Sequence, residues 1–309
     1  MTEHDTLARP NRERFARFDP RRVPSPCYVV DEAGIAANLR ILDRVQRESG
    51  ARILLALKAF ALFALAPLVM RTLRGVCASG LYETRLGRED FGGEVHCFSP
   101  AYRPEELERI LDLADHVLFN SFGQWQRFQP LIQAARARRP GLSFGLRINP
   151  AHSEGWHPLY DPCAPHSRLG IPRAPFAGQD LTGLSGLHFH TLCEQDLPPL
   201  ARTLAVVEDA FAPWLGGLKW INFGGGHHIT RPDYQVDDLI RLIQDFRRRW
   251  GLEVYLEPGE AIALDAGVLV AEVLDVTWNG RDIAILDTSA TCHMPDVLET
   301  PYRPAVAGA

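Results

Sequence analysis

The side chains of this sequence that could do chemistry follow short apolar runs, one after another. Lys58 closes "ILLALK", Cys77 and Ser79 close "GVCAS", Cys97 and Ser99 close "EVHCFS", and Asn120 closes "HVLFN". Arg147 and Asn149 end "SFGLRIN", His188 and His190 end "GLHFHT", Gly224 to Gly226 end "WINFGGG", and Glu257 lies in "EVYLEPG". A desolvated lysine has a lowered pKa and is a nucleophile able to form a Schiff base, the chemistry of pyridoxal phosphate enzymes. Such a cofactor needs an anion site, a partner for its pyridine nitrogen and a surface against its ring. Three glycines let backbone N–H groups approach a phosphate, and a carboxylate such as Glu257 favours the protonated ring nitrogen. Each residue also has a plainer reading. Lys58 could lay its stem on apolar surface with its ammonium in water, the glycines could form a tight turn, and Glu257 could be an ion-pair partner. His188 and His190 alternate along a strand and share a face, where they could meet a cofactor ring, bind a metal with His227, His228 and Glu257, or be structural.

These positions need a scaffold that gathers strand ends. The apolar runs number eight, and helical periodicity lies between them: Leu107, Ile110, Leu111 and Ala114; Trp125, Phe128, Leu131 and Ile132; Leu239, Ile240, Ile243 and Phe246. Continuous apolar strands separated by helices imply a parallel sheet covered on its faces, and eight units imply an α/β fold, a closed (β/α)8 TIM barrel with its reactive residues at the C-terminal mouth. Two pieces fall outside it. "SPCYVVDEAGIAANLRILDRV" reads as a strand feeding a helix capped by Asp31. "GVLVAEVLDVTW", Asn279-Gly280 and "RDIAILDTSAT" read as a β-hairpin. The expected organisation is an N-terminal segment 1–24 that packs on the β-rich part, a barrel over 25–264, and the start of a truncated C-terminal β-domain over 265–309. Two strands make a poor free-standing unit, so they borrow partners from the N-terminal residues or the chain is incomplete.

Composition narrows the partners. With 46% hydrophobic and 23% charged residues and a net charge of -5, the chain carries no signal for binding nucleic acid. The opening "MTEHDTLARPNRERFARFDPRR" has no apolar h-region, which predicts a cytoplasmic protein. The run Ile53 to Met70 raises the membrane question, since a spanning helix needs about 20 apolar residues. Lys58 near its middle would cost roughly 2.5–3.5 kcal/mol and Pro67 interrupts its end, so a soluble buried element is expected. The six cysteines form no C-x-x-C pair and read as free thiols, with no metal assigned to them.

From about Pro24 to Pro304, the chain resembles the fold-type III pyridoxal phosphate decarboxylases, the group of alanine racemase, ornithine decarboxylase and diaminopimelate decarboxylase. "LALKAF", "NPAHSEGWHPLYDPCAPHSRLG", "GLHFHTLCE", "NFGGGHHIT", "EPGEA" and "DTSATCHMPDVLE" resemble its carboxynorspermidine/carboxyspermidine decarboxylase branch. The resemblance implies a catalytic set of Lys58, His190 and Glu257. In it Lys58 holds pyridoxal 5'-phosphate as a Schiff base, His190 stacks on its ring and Glu257 pairs with its pyridine nitrogen. Gly224, Gly225 and Gly226 would cradle the phosphate, and Cys193 sits where the ornithine enzymes have a serine near it. Glu83 and Arg168 match active-site segments, and Arg168, Glu260 and His293 are expected at the substrate. Glu260 stands where ornithine and diaminopimelate decarboxylases carry a phosphate-assisting arginine; a carboxylate there could meet a cationic amine of the substrate.

The implied activity is decarboxylation of carboxynorspermidine or carboxyspermidine to norspermidine or spermidine in polyamine biosynthesis, by a homodimer with shared sites. The group carries, beyond the position of Ala309, a cysteine-and-aspartate segment and a tyrosine that complete the site. The activity is therefore expected of the full-length protein. Three alternatives remain open: a decarboxylase of diaminopimelate, lysine or ornithine; a non-catalytic pyridoxal phosphate-binding homologue; and a metal-dependent barrel hydrolase using His188, His190 and Glu257.

Overall fold

A computed structural model describes residues 15–155, 158–299 and 301–306. Its twelve strands are β1 (Cys27–Val30), β2 (Arg52–Ala56), β3 (Gly75–Ala78), β4 (Glu94–Phe98), β5 (His116–Phe119), β6 (Ser143–Arg147), β7 (Gly186–His188), β8 (Trp220–Asn222), β9 (Glu253–Leu256), β10 (Gly267–Val270), β11 (Val273–Trp278) and β12 (Asp282–Leu286). Strands β2 to β9 pair in parallel with their neighbours, and β2 closes on β9 to make an eight-stranded barrel. Every strand expected of the barrel is present, but each stops before its run does: Lys58, Ser79, Ser99, Asn120, Asn149, His190, Gly224 to Gly226 and Glu257 belong to the following loops, while Cys77, Cys97, Arg147 and His188 lie within their strands. Lys58 lies in the turn after β2, and the rest of its apolar run breaks into a short 3-10 turn, Phe63–Leu65, and the helix Ala66–Val69. Among the described residues no helix is long and apolar enough to cross a membrane.

The helices bury the faces their periodicity marks. Leu107, Ile110 and Leu111 of Pro104–Leu113 are buried, as are Leu239, Ile240, Ile243 and Phe246 of Val236–Trp250, which ends at Gly251 in the left-handed region. Inside the barrel, Leu54, Leu118, Trp220 and Tyr255 form one cluster with Cys77 and Phe98 against it. Gly145 and Gly186 make room for the Trp220 indole: a Cβ on Gly186 would lie 2.1 Å from it. The indole N–H donates to Ser143 Oγ at 2.9 Å.

The strand starts form a polar floor. Arg52 pairs with Glu94 and with Glu253, the Tyr255 hydroxyl donates to Glu94 at 3.0 Å, and His96 stacks on His116 with ring centres 3.9 Å apart. Desolvation by burial, with the charge of His96, pushes the His116 imidazole down to about 2, so it is neutral.

The chain divides into two compact units, residues 36–264, which hold the barrel, and residues 1–35 with 265–309. In the second of these, β10 pairs antiparallel with β1, Cys27 opposite Val270, and β11 pairs with β12 across the Asn279-Gly280 turn. The partner of β10 is thus β1, which lies inside the range 25–264 expected of the barrel, while β11 and β12 form the hairpin. Asp31 caps the helix Glu32–Ser49 by accepting from the Ala33 N–H at 3.0 Å. Residues 1–14 of the expected N-terminal segment lie outside the described residues.

Candidate active site

The loops after β2, β7, β8 and β9 bring four of the expected groups to one mouth of the barrel. Lys58 Nζ is 3.4 Å from His190 Nε2. The opposite ring nitrogen, His190 Nδ1, accepts the Gly225 N–H at 3.2 Å, which leaves the imidazole proton on Nε2, facing the lysine. Desolvation and the charge of Lys58 push His190 well below the ordinary imidazole value, so the ring is neutral.

Glu257 follows β9 and is held at both oxygens. Asn222 Nδ2 donates to Oε1 at 2.7 Å, and His188 Nε2 lies 3.2 Å from Oε2. Burial would raise this carboxyl, but the imidazoles around it, His188 foremost through its hydrogen bond, hold it below the usual carboxylate range, so it is an anion at neutral pH. Burial lowers His188 in turn, and since a carboxylate only accepts, the neutral ring must donate its Nε2–H.

The glycine loop is built for close approach. Gly224 and Gly226 have φ of +71° and +83°, and a Cβ on Gly226 would meet the Leu192 carbonyl oxygen at 1.9 Å. The Gly224 N–H is taken by Asn222 Oδ1 at 2.8 Å and the Gly225 N–H by His190, whereas those of Gly226 and His227 have no acceptor among the described residues. Two successive free N–H groups beside a left-handed glycine make an anion cradle. A lysine amine, an imidazole, an anion cradle and an ionised carboxylate at one mouth match the demands of pyridoxal phosphate.

No family model matches the chain. The carboxynorspermidine/carboxyspermidine decarboxylase of Campylobacter jejuni is 42% identical over 288 residues, 93% of this chain and 74% of the relative. The carboxyaminopropylagmatine decarboxylase of Synechocystis is 43% identical over 289 residues, 93% of this chain and 73% of the relative. The solved carboxynorspermidine decarboxylase of Campylobacter jejuni, complexed with norspermidine, superposes with a TM-score of 0.82 at 41% identity, over 91% of this chain and 72% of that one. The chain belongs to the carboxynorspermidine/carboxyspermidine decarboxylase family. Beyond this family the fold extends to the diaminopimelate decarboxylase of Helicobacter pylori, with a TM-score of 0.77 at 18% identity over 90% of this chain and 74% of that one.

The other expected residues of this family member lie as follows. Burial and the carboxylates of Glu194 and Glu260 push the Cys193 thiol up, so it stays an S–H donor, the form that can replace a serine hydroxyl. Arg168 is exposed; its carbonyl accepts from Asn120 Nδ2 at 2.7 Å, and Asn120 Oδ1 takes the Gly170 N–H at 2.7 Å. Glu83 accepts the Ser79 N–H at 2.6 Å. His293 belongs to the other compact unit, where its Nδ1 accepts the Ser289 N–H at 3.3 Å and its carbonyl takes the Tyr28 hydroxyl. Trp156 and His157 of the "NPAHSEGWHPLYD" segment lie outside the described residues.

Glu260 lies 3.0 Å from Nε2 of the buried His228. Burial alone would lower this imidazole, but Glu260 outweighs it and the pKa is raised. A value raised on folding means that the pair's stabilisation is fully present below about pH 6.5, the unfolded value, and is lost as pH rises through the folded pKa. Glu260→Gln is expected to move the His228 titration, followed by NMR of the ring nitrogens, to lower pH and to remove that pH-dependent stability. A titration unchanged in the variant would break the assignment.

The histidines do not converge as a metal site at this mouth: His188 faces Glu257, His227 faces the Tyr234 hydroxyl at 2.7 Å, and His228 faces Glu260. Among the described residues the donor atoms that do converge are those of Glu94, His96 and His116 on the floor. There the two imidazole planes lie 14° from parallel, so no nearby point is in plane with both lone pairs. Asn222, which ties the glycine loop to Glu257, is the member of the site that the sequence reading left unassigned. Its signal was the Asn-x-Gly spacing of "NFG", in which an Asn side chain bonds the backbone two residues on.

Proposed function

We propose that this chain is a pyridoxal phosphate-dependent carboxy-lyase acting on a polyamine that carries an α-amino acid at one end, with carboxynorspermidine and carboxyspermidine as substrates. The observation that carries this reading is the meeting of Lys58, His190, the glycine loop and Glu257 at one barrel mouth, in a chain 42% identical to an enzyme of that name. When bound, the cofactor supplies an electron sink for the pair left behind by departing carbon dioxide. Lys58 offers the amine that holds it, and the His190 ring, kept in one tautomer by Gly225, offers the surface against it. The Gly226 and His227 N–H groups, with the Cys193 thiol, would hold its phosphate, and Glu257 would pair with its ring nitrogen. Arg168, Glu260 and His293 are the candidates for substrate contact; the working enzyme is a homodimer, as its family resemblance implies, and cytoplasmic, as the polar opening stretch of the sequence predicts.

A second reading, carboxyaminopropylagmatine as substrate, is supported by the 43% identity to the Synechocystis enzyme. The two classes differ at the far end of the chain, an ammonium or a guanidinium, and these are not equivalent to a binding carboxylate. Carbon dioxide release should be followed with carboxynorspermidine, carboxyspermidine, carboxyaminopropylagmatine and diaminopimelate in turn. The first two differ by one methylene and should fall within roughly 10–200-fold in kcat/KM. Release from diaminopimelate alone would overturn both readings.

A further inference from the structure

The "HFH" pair leaves one histidine without a task. His190 is engaged by Lys58 and Gly225, while His188, two residues earlier at the end of β7, is 3% exposed and reaches across to Glu257. We propose that His188 is a positioning residue: with Asn222 it holds the Glu257 carboxylate in place and ionised, so that the proton shared with the cofactor's ring nitrogen stays on the ring. This rests on the pyridoxal phosphate reading above.

The case begins with tethering. Asn222 donates to one oxygen of Glu257 at 2.7 Å and His188 to the other at 3.2 Å, so the carboxylate cannot rotate without breaking a bond. Asn222 is itself fixed, because its Oδ1 takes the Gly224 N–H at 2.8 Å. His188 is fixed by its strand, whose carbonyl at this residue takes the Ile148 N–H at 2.8 Å, and by Phe98, whose ring centre is 5.7 Å from the imidazole. Each oxygen retains a second lone pair, which leaves the carboxylate able to accept from a further donor.

The tautomer follows. His188 Nδ1 is buried without a partner. An N–H there would be a buried unsatisfied donor, costlier than a bare lone pair, so the proton belongs on Nε2, where Glu257 accepts it. Donors on a carboxylate lower its proton affinity. A ring nitrogen and a carboxylate in contact share one proton, and it rests on whichever partner is more basic. Stripping a donor from Glu257 therefore moves that proton toward the carboxylate and weakens the electron sink. The other titratable or charged groups around Glu257 are the Cys77 thiol of β3, His96 of β4, Arg147 at the end of β6, and His190. Unlike the His96 and His190 imidazoles, that of His188 is hydrogen-bonded to the carboxylate.

The test compares wild type with His188→Leu, which removes the donor, and His188→Gln, which keeps an N–H near the same place. In the cofactor-free protein, the carboxyl carbon of Glu257, labelled with carbon-13 and assigned through Glu257→Gln, should titrate on the order of one pH unit higher in His188→Leu than in wild type. In His188→Gln it should return most of the way. With cofactor labelled with nitrogen-15 in the ring, the ring-nitrogen shift should move toward the unprotonated value in His188→Leu and recover in His188→Gln. The leucine variant should also lose about 10-fold or more in kcat with KM changed less than about twofold. If both labels read as wild type in His188→Leu, or if the glutamine variant folds and restores neither, the inference is wrong. If the wild type takes up no pyridoxal phosphate, the functional reading fails, while the carbon-13 titration still decides whether His188 governs Glu257.

Discussion

Lys58→Ala is expected to lower carbon dioxide release at least ~10³-fold, a loss typical of removing a residue that forms the reacting bond. Lys58 is exposed in the turn after β2, and its nearest polar contact is a 3.4 Å approach to His190, so its removal opens no cavity in the core. The thermal midpoint of the cofactor-free variant should therefore match wild type, separating chemistry from folding. The second readout is optical. Cofactor bonded to a lysine absorbs in the visible, and the alanine variant should lack that band while still binding pyridoxal phosphate through the glycine loop. A variant with the same visible band and turnover within tenfold of wild type would show that another residue holds the cofactor.

Gly226→Ala is expected to weaken pyridoxal phosphate binding about 100-fold, close to 2.7 kcal/mol. Two effects combine at this position. Its φ of +83° costs an alanine about 1 kcal/mol, and the new Cβ would stand 1.9 Å from the Leu192 carbonyl oxygen, backbone that cannot swing aside. The loop must move, and the free N–H groups of Gly226 and His227 move with it. Gly280→Ala is the matched control. It has a φ of +71° but nothing within 4 Å of the added Cβ, so it should lose about 1 kcal/mol of stability and leave cofactor affinity unchanged. Titration of each cofactor-free protein with pyridoxal phosphate gives the comparison. Equal affinity in Gly226→Ala and wild type would remove the glycine loop from the binding site.

The barrel was legible because its strands are covered on both faces, so each reads as a continuous apolar run whatever its neighbours. Strand ends were harder to read. Leu57 looks as apolar as Ile53 to Ala56 and is as buried, yet the chain turns there, and composition does not mark the change. The site residues were visible for a related reason: a charged or glycine residue closing an apolar run stands out. What stayed hidden was pairing between distant loops. That Gly225 would spend its N–H on His190 Nδ1, and pass the anion to Gly226 and His227, depends on how the loops after β7 and β8 meet. The partner of Glu260 was hidden similarly. From sequence it was a carboxylate in place of an arginine, and the fold turns it onto His228.

The pairing of β1 with β10 carries a consequence for synthesis on the ribosome. β1 emerges early, while its partner, beginning at Gly267, follows the whole barrel. At about 5–20 residues per second, "CYVV" waits on the order of tens of seconds with an unpaired apolar edge. The barrel can close in that interval from sequential, neighbouring units. During translation this strand therefore stays unpaired until the barrel is made, and a polar substitution at Tyr28, which is 60% exposed, tests whether that edge limits soluble yield.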